Sequence, residues 1–234
     1  MGLGMGTYDG FQKFMPEAPL KKRVLAFLEK LIIDGLLKPR QHLIETEISC
    51  AIGVSRPPIR EALRALEVEG LVISVPNRGF TVTEFTEKDV KNVYLIRATL
   101  ERLAFKLATA ALTPKTLDAL ESVYRKMAKA VDEENLSGYF DLNHEFHSII
   151  LQAVNNEQLT KIILNLGKQV MFFRKLSIIS TPGTLRQSLE MHRSLLDALR
   201  SGDGEKAGQL RYQQIHDAGQ IFTTQIHKLN LISI

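Results

Sequence analysis

The sequence predicts a mainly α-helical protein in two parts, a small N-terminal domain of helices with a β-hairpin and a larger all-helical domain. Two observations predict this fold class. From Leu20 onward, apolar residues recur every three or four positions along most of the chain, as they do on one face of a helix. Between Gly70 and Thr83 the period changes to two, which is typical of strands. The length of 234 residues is sufficient for two domains with separate cores.

The composition is that of an ordinary globular protein, with 44% hydrophobic and 24% charged residues. Since no apolar run approaches the roughly 20 residues of a membrane span, we expect no membrane partner and a cytoplasmic location. The single cysteine, Cys50, excludes an internal disulfide framework. It lies in an apolar pattern, and we expect it to be buried. The net charge of +4 only weakly indicates a polyanionic partner.

The N-terminal domain is predicted over residues 19–85. Residues 1–18 contain four glycines and no periodicity, which predicts a flexible tail. The next elements are three helices, one from Leu20 to Gly35, one over Glu45–Ile52 and one over Arg56–Glu69, and then two strands, Val72–Val75 and Phe80–Thr83, joined by the turn Pro76-Asn77-Arg78-Gly79. This order of elements is that of a winged helix-turn-helix.

The third helix carries a cationic stripe. Arg56, Arg60 and Arg64 recur every four residues, opposite the apolar side of the helix. Pro57 and Pro58 fall in the first turn, where backbone N–H groups have no intrahelical partner. In a helix-turn-helix this end of the helix enters the major groove, where arginine pairs with guanine or clamps phosphate. The alternative is that the arginines only solvate an exposed face, but the turn, the prolines and the wing together favour DNA binding.

The second domain is predicted over residues 86–234 and is helical throughout. Its helices are expected at about 86–111, from 113, and at 136–153, 157–178, 182–201 and 204–229, with short turns that carry Asn, Gly or Pro between them. Six helices of this length form a bundle.

Two stretches resemble a known family. Residues 39–82, PRQHLIETEISCAIGVSRPPIREALRALEVEGLVISVPNRGFTV, resemble the DNA-binding domain of the GntR family of bacterial transcription regulators. Residues 88–230 resemble the all-helical FCD ligand-sensing domain of the FadR-like branch of that family. The resemblance implies a regulator and not an enzyme, commonly a repressor. We expect it to be a homodimer that binds a pseudo-palindromic operator in double-stranded DNA and responds to a small carboxylate effector.

The resemblance also implies which residues contact DNA. The expected positions are Ser55, Arg56, Pro57 and Arg60 for bases and phosphates, Thr46 for the DNA backbone, and Arg78 and Gly79 for the tip of the wing. The family often has Thr or Ser at positions 57 and 58, and this chain has proline at both. Hydroxyl contacts with DNA are therefore lost at these positions, which allows a different operator sequence.

The stretch FDLNHEFHSII, residues 140–150, raises the question of a metal site. Its histidines are three apart, whereas the zinc-protease pattern H-E-x-x-H needs four. The resemblance instead implies a site made of Asn143, His147, His192 and His216 that holds a divalent transition metal such as Zn, Ni or Mn. Asn143 stands where the family commonly has aspartate. The alternative is that these histidines are polar residues of the bundle core without a metal.

Arg97 is the expected effector anchor, since the resemblance places an arginine there facing the cavity, where it could grip a carboxylate. An interhelical salt bridge with Glu101 or Asp217 is an open alternative. Two further functions also remain open. One is a regulator that binds its effector without metal or senses a metal itself, and the other is a metal-dependent hydrolase with a DNA-binding module. The hydrolase would need a general base beside the metal, and Glu145 is predicted to point off the face of Asn143 and His147.

Overall fold

The computed structural model describes residues 5–76, 78–177 and 184–229. Within these ranges the chain is mainly helical with one small antiparallel sheet. The helices are α1 (Leu20–Ile33), α2 (Glu45–Ile52), α3 (Arg56–Val68), α4 (Glu87–Thr109), α5 (Pro114–Asp132), α6 (Leu136–Gln152), α7 (Glu157–Ser177), α8 (Thr184–Arg200) and α9 (Gly204–Leu229). The strands are β1 (His42–Leu43), β2 (Val72–Val75) and β3 (Gly79–Val82). The predicted fold class is confirmed.

The chain divides into two compact units. The first comprises Met1–Val90, Asn165–Ile178 and Gln225–Ile234, and the second comprises Lys91–Leu164 and Ile179–Thr224. Helix α7 therefore begins in the second unit and ends in the first. The sequence had divided the chain once, between residues 85 and 86, because a continuous helical pattern carries no sign that its two halves pack in different units.

Side-chain bonds explain why the end of α7 belongs to the first unit. The Lys168 ammonium contacts Glu69 at 2.5 Å and Glu29 at 3.4 Å. Gln169 Nε2 donates to the main-chain oxygen of Glu69 at 2.9 Å. Burial raises the pKa of Glu29, an effect that Lys168 partly opposes. A lysine between two carboxylates thus ties α7 to α1 and to the end of α3.

The first unit is built on α1, α2, α3 and the sheet, whose strand order is β1-β3-β2. The hairpin pairs Val72 with Val82 and Val75 with Gly79. β1, which the sequence did not predict, pairs Leu43 with Phe80. Two residues are too few for a period of two to be recognised, so only the pairing with β3 defines this strand.

Residues 5–18 differ from the flexible tail predicted over residues 1–18, whose first four residues lie outside the described ranges. Met5–Tyr8 and Phe11–Lys13 form single 3₁₀ turns. Tyr8 and Phe11 are almost fully buried, and the Phe11 ring packs edge-on against Phe27 with 5.2 Å between centroids. Three aromatic side chains in the segment, not its glycines, decide its structure, because they can bury apolar area against α1.

The second unit is an all-helical bundle formed by α4, α5, α6, α8 and parts of α7 and α9. Thr113 caps α5 by accepting from the Thr116 amide at 3.2 Å, and Pro114 fills its first position. Asn135 caps α6 through the Gly138 amide at 2.9 Å. The core joins residues from these helices, among them Phe105, Leu120, Met127, Tyr139, Phe146, Ile150, Leu195 and Leu196.

Cys50, which the apolar pattern predicted to be buried, is exposed on α2. The core side of this short helix is occupied by Ile48 and Ile52, and two turns leave room for little more. In the described part of the chain, no helix has the length and apolar character needed to cross a membrane.

Candidate functional sites

The N-terminal end of α3 presents a polar, cationic surface in the first unit. Ser55 occupies the N-cap position with extended backbone angles (φ −61°, ψ 157°), but its side chain makes no capping hydrogen bond. Arg56, Pro57 and Arg60 are exposed. Ile59, on the other side of the helix, is fully buried. Packing of the apolar side thus fixes α3 so that the arginines face solvent, and the Ser55 hydroxyl is left for a contact outside the helix.

Glu45, at the start of α2, holds two of these arginines. Its carboxylate accepts from Arg60 Nε and Nη2, each at 2.7 Å, and lies 3.4 Å from Arg56 Nη2. The hydrogen bond from Arg60 is the main reason that the pKa of Glu45 is lowered. This bidentate pair of hydrogen bonds matches the planar geometry of the Arg60 guanidinium and fixes its orientation. The sequence did not single out Glu45, because nothing local relates it to a residue 15 positions later.

The other predicted DNA contacts also lie in the first unit. Thr46 is exposed in the first turn of α2, and Arg78 is exposed in the turn between β2 and β3. Gly79 follows with φ 80°, and a Cβ there would lie 3.1 Å from the main-chain oxygen of Leu43. Only glycine combines this backbone angle with such a close approach. The role of these residues at DNA stays a prediction.

In the second unit, Glu101 on α4 is fully buried and bonded to two arginines. Arg97, one turn earlier, donates from Nε at 2.5 Å. Arg211 on α9 donates from Nε to the other carboxylate oxygen at 2.6 Å. Burial alone would raise the pKa of Glu101, but the two guanidinium groups outweigh it and hold that pKa below its usual range. Arg97 thus forms a salt bridge with Glu101, the partner that the sequence left as an alternative, but the bridge lies within α4 and not between two helices.

Two of the predicted metal ligands meet in the core beside this ion pair. His147 on α6 and His192 on α8 are 7% and 2% exposed, and their Nε2 atoms lie 3.1 Å apart. His192 Nδ1 lies 2.6 Å from the main-chain oxygen of Ser188, which can only accept, so this nitrogen carries the proton. Phe146 packs edge-on against both imidazole rings.

Arg211 reaches this histidine pair. Its Nη1 lies 2.9 Å from His147 Nε2 and donates to Gln214 Oε1 at 3.2 Å. Because a guanidinium only donates, the bond requires an unprotonated Nε2 on His147. Gln214 Nε2 is buried and has no hydrogen-bond partner among the described residues. The cluster therefore combines two arginines, one carboxylate, two imidazoles and an amide.

The other two predicted ligands lie differently. Asn143 is half-buried on α6, one turn before His147. His216 is 38% exposed at its side chain, stacks on Tyr212 and has Nδ1 3.6 Å from an Asp217 carboxylate oxygen. His216 follows Arg211 by five positions, about 140° around the helix, so the two side chains leave α9 on different sides.

The residues present do not fit a metal ion at His147. Within the ranges that the structure describes, no group of three His, Cys, Asp or Glu side chains is arranged to hold one. A divalent ion about 2.1 Å from His147 Nε2 would lie no more than about 5 Å from Arg211 Nη1, given the 2.9 Å contact. At an effective dielectric constant of about 20, the repulsion is roughly 7 kcal/mol. The positively charged guanidinium of Arg211 thus lies beside His147 Nε2, in the space that a metal ion would need.

The sequence did not indicate that Glu101 is buried at the centre of an ion-pair cluster. It also did not single out Arg211 or Gln214. Arg211 stands in the same stretch as His216, RYQQIH, and Gln214 shares the side of α9 with Arg211. A search for buried charges at helical spacing, not only for metal-binding residue types, could have indicated both.

Comparison with known proteins gives the family. Residues 20–82 match the bacterial regulatory proteins of the gntR family, and residues 92–216 match the FCD domain. YdhC of Bacillus subtilis (strain 168), an uncharacterized HTH-type transcriptional regulator, is 32% identical over 78% of this chain and 81% of its own length. The HTH-type transcriptional repressor RspR of Escherichia coli (strain K12) is 27% identical over 88% of this chain and 90% of its own.

A solved structure agrees with these matches. The structure of E. coli McbR/YncC superposes with a TM-score of 0.73 at 26% sequence identity and covers 89% of this chain and 99% of that one. FCD domains are often associated with metal binding, but no comparison names a metal for this chain. Both family matches fall on the parts of the sequence whose motifs had indicated them. The chain belongs to the GntR family of bacterial transcription regulators and carries an FCD domain after its DNA-binding domain.

Proposed function

We propose that this regulator is a homodimeric repressor that binds a pseudo-palindromic operator and releases it in response to a small organic acid bound in the FCD domain. The observation that carries the DNA part is the end of α3, where Arg56 and Arg60 are half-exposed and held by Glu45 while Ile59 is buried. Repression is supported by the relative RspR, which is named a repressor. Its place of action is then the cytoplasm, with DNA.

A dimer is expected from the number of base pairs that one DNA-binding domain can contact. One winged helix covers too few base pairs for useful specificity, so two reading helices must be held about one turn of DNA apart. Helix α4 offers a surface for this contact. Ile96, Leu103 and Leu107, at spacings of seven and four, fall on one side of the helix and are 43–49% exposed. We assign this stripe to the two-fold interface, which would bury it in both copies.

The effector class follows from the charges of the cluster in the second unit. Arg97, Arg211 and an ionised Glu101 together carry one net positive charge in a mostly buried setting. Gln214 Nε2 adds a buried donor. A carboxylate supplies the opposite charge and the acceptor oxygens that this combination suits. The effector must bind the operator-competent and incompetent states with different affinity for regulation to occur.

The hydrolase alternative has little support. It needs a metal-bound water and a general base beside it, and Glu145 is exposed on α6. The metal-sensing alternative requires a metal site, against which the 2.9 Å bond between Arg211 and His147 argues.

Selection of binding sequences from a random double-stranded DNA library tests the DNA part. The expected result is an enriched pseudo-palindrome with half-sites about one helical turn apart. Fluorescence anisotropy should then give weaker binding for Arg56→Ala and unchanged binding for Lys21→Ala, which alters an exposed side chain on α1. Failure to enrich any sequence with the wild-type protein would refute operator binding.

A further inference from the structure

The ion-pair cluster in the helical unit has a feature that a metal-dependent sensor would not need. Arg211 is almost entirely buried, with 5% of its surface exposed, and it bridges Glu101 and His147. Burying a guanidinium is costly unless its hydrogen bonds are satisfied. Here the cost is met by a carboxylate, an imidazole and an amide oxygen, which come from three helices.

We propose that this FCD domain binds its carboxylate effector without a metal ion, with Arg211 supplying the positive charge that a metal would supply beside His147. This inference rests on the effector class proposed above and deepens it. Arg211 thereby becomes the fixed cation of the site. His147 and Glu101 hold its guanidinium in place, and Gln214 Nε2 donates to the incoming carboxylate.

The chemistry of the donors supports this assignment. The predicted metal site would have no protein carboxylate to neutralise the ion, because the position one turn before His147 is the neutral Asn143. The carboxylate in the cluster, Glu101, is engaged by Arg97 and Arg211 through both of its oxygens. The imidazole nitrogen that would bind a metal instead accepts from Arg211. Of the predicted ligands in the core, His192 alone keeps an imidazole Nε2 atom that no arginine contacts in the described part of the chain, and one imidazole does not hold a divalent ion.

Arg97 completes the site on its more open side. Its side chain is 18% exposed, against 7% for Arg211 and 0% for Glu101. A guanidinium carries five N–H donors, and the bond to Glu101 uses the one on Nε. Arg97 is thus the group that an entering carboxylate meets first. Arg211, behind it, sets the charge of the site and the position of Gln214.

The test uses the full-length protein and four variants, and a fifth, Arg211→Met/His192→Ala, is used for Zn²⁺ binding alone. Arg211→Met removes the guanidinium but keeps a long apolar side chain, and Glu101 retains Arg97. Arg211→Met/Glu101→Gln removes both members of the buried pair and replaces the single variant if that one has a low Tm. Arg211→Lys keeps the positive charge but lacks the planar guanidinium and its parallel N–H donors. Arg102→Met removes a half-exposed guanidinium from the same helix as Glu101 and is the matched control.

Two properties are measured on each protein. The first is metal, as the content of the purified protein by plasma mass spectrometry and as Zn²⁺ binding by calorimetry. The second is the rise in Tm caused by acetate, succinate or citrate, measured before and after the protein has been treated with chelator and dialysed. Operator binding by anisotropy is followed in parallel with the same three acids.

The inference predicts that wild type holds substoichiometric metal and that at least one acid raises its Tm equally before and after chelator treatment. Arg211→Met should lose that rise and bind Zn²⁺ about tenfold or more tightly than wild type, because the competing cation has gone. An added His192→Ala change should abolish the acquired Zn²⁺ binding. Arg211→Lys should keep part of the response to the acid, and Arg102→Met should behave as wild type.

Different failures have different meanings. Stoichiometric metal in wild type, or a response to the acids that chelator treatment abolishes, overturns the metal-free site while the proposed regulator stands. An unchanged response to the acids in Arg211→Met and in Arg211→Met/Glu101→Gln overturns the role of Arg211. No Tm rise and no change in operator binding with any acid, with or without Zn²⁺, overturns the carboxylate effector and this inference with it.

Discussion

Replacing Arg60 with alanine separates reading of the operator from stability of the fold. Arg60 lies in the second turn of α3 with its side chain 49% exposed, and its guanidinium is held by Glu45 through two bonds of 2.7 Å. Surface ion pairs in general contribute little to stability, so the Tm of Arg60→Ala should remain close to that of wild type. A well-oriented arginine at a base is worth far more, roughly 5- to 150-fold in affinity.

Fluorescence anisotropy with the selected operator and with single-base variants measures this loss at fixed salt. If Arg60 reads a base, Arg60→Ala should weaken operator binding by that factor and lose discrimination at one position. If it clamps a phosphate, all sequences should lose affinity equally, and the dependence of log affinity on log salt should become shallower by about 0.9. Lys21→Ala serves as the charge-matched control.

Glu45→Gln extends the experiment to the orientation of the arginines. The variant removes a negative charge from the protein surface that faces the DNA, which should strengthen non-specific binding. Arg60 also loses the partner that orients its guanidinium. The ratio of specific to non-specific affinity should therefore fall, and Arg60→Ala should cost less in the Glu45→Gln background. Operator affinity and specificity that are unchanged in Arg60→Ala would refute the assignment of α3 as the reading helix.

Three further predictions concern the fold and assembly. Phe11→Ala should lower the free energy of unfolding by about 3 kcal/mol in urea titrations, since the Phe11 side chain is packed against α1 and is only 2% exposed. A loss below about 0.5 kcal/mol would contradict this packing and support the flexible tail predicted from the sequence. Because the folded-state pKa of Glu29 is raised, its contribution to stability is present below about pH 4 and is lost as the pH rises through the raised pKa. Glu29→Gln should therefore gain stability relative to wild type between about pH 4 and 7, and equal pH dependence would contradict the burial. Leu103→Glu should give a monomer by light scattering at micromolar concentration while Arg125→Glu, on an exposed part of α5, stays dimeric; a dimeric Leu103→Glu would exclude the α4 stripe as the interface.

Helix bounds could be predicted closely because their causes are local. Gly53 with φ 69° ends α2, Thr113 and Pro114 begin α5, and Asn135 begins α6. The arginine stripe of α3 follows from spacing alone, because residues four apart lie on one side of any helix. The family resemblance, carried by contiguous motifs, is confirmed for the same reason.

The site in the helical unit could not be predicted in full, because its contacts join residues far apart in the chain. Residue type and family pattern indicated His147 and His192, which meet, and His216, which contacts Tyr212 and Asp217 instead. No local pattern indicates that Arg211 donates to a histidine 64 positions earlier. Its bond to Glu101, 110 positions away, is equally invisible in the sequence.

By itself, the sequence determined the helices, the wing, the cationic end of α3 and the family, since propensity, capping and periodicity act over a few residues. Tertiary structure alone decided that Lys168 of α7 packs with Glu29 and Glu69, that Phe11 is buried, and that a guanidinium lies where a metal was expected. These outcomes depend on which side chains share a dry, crowded space. There the energy of a charge is set by neighbours distant in sequence, and burial makes each such pairing matter far more than it would in water.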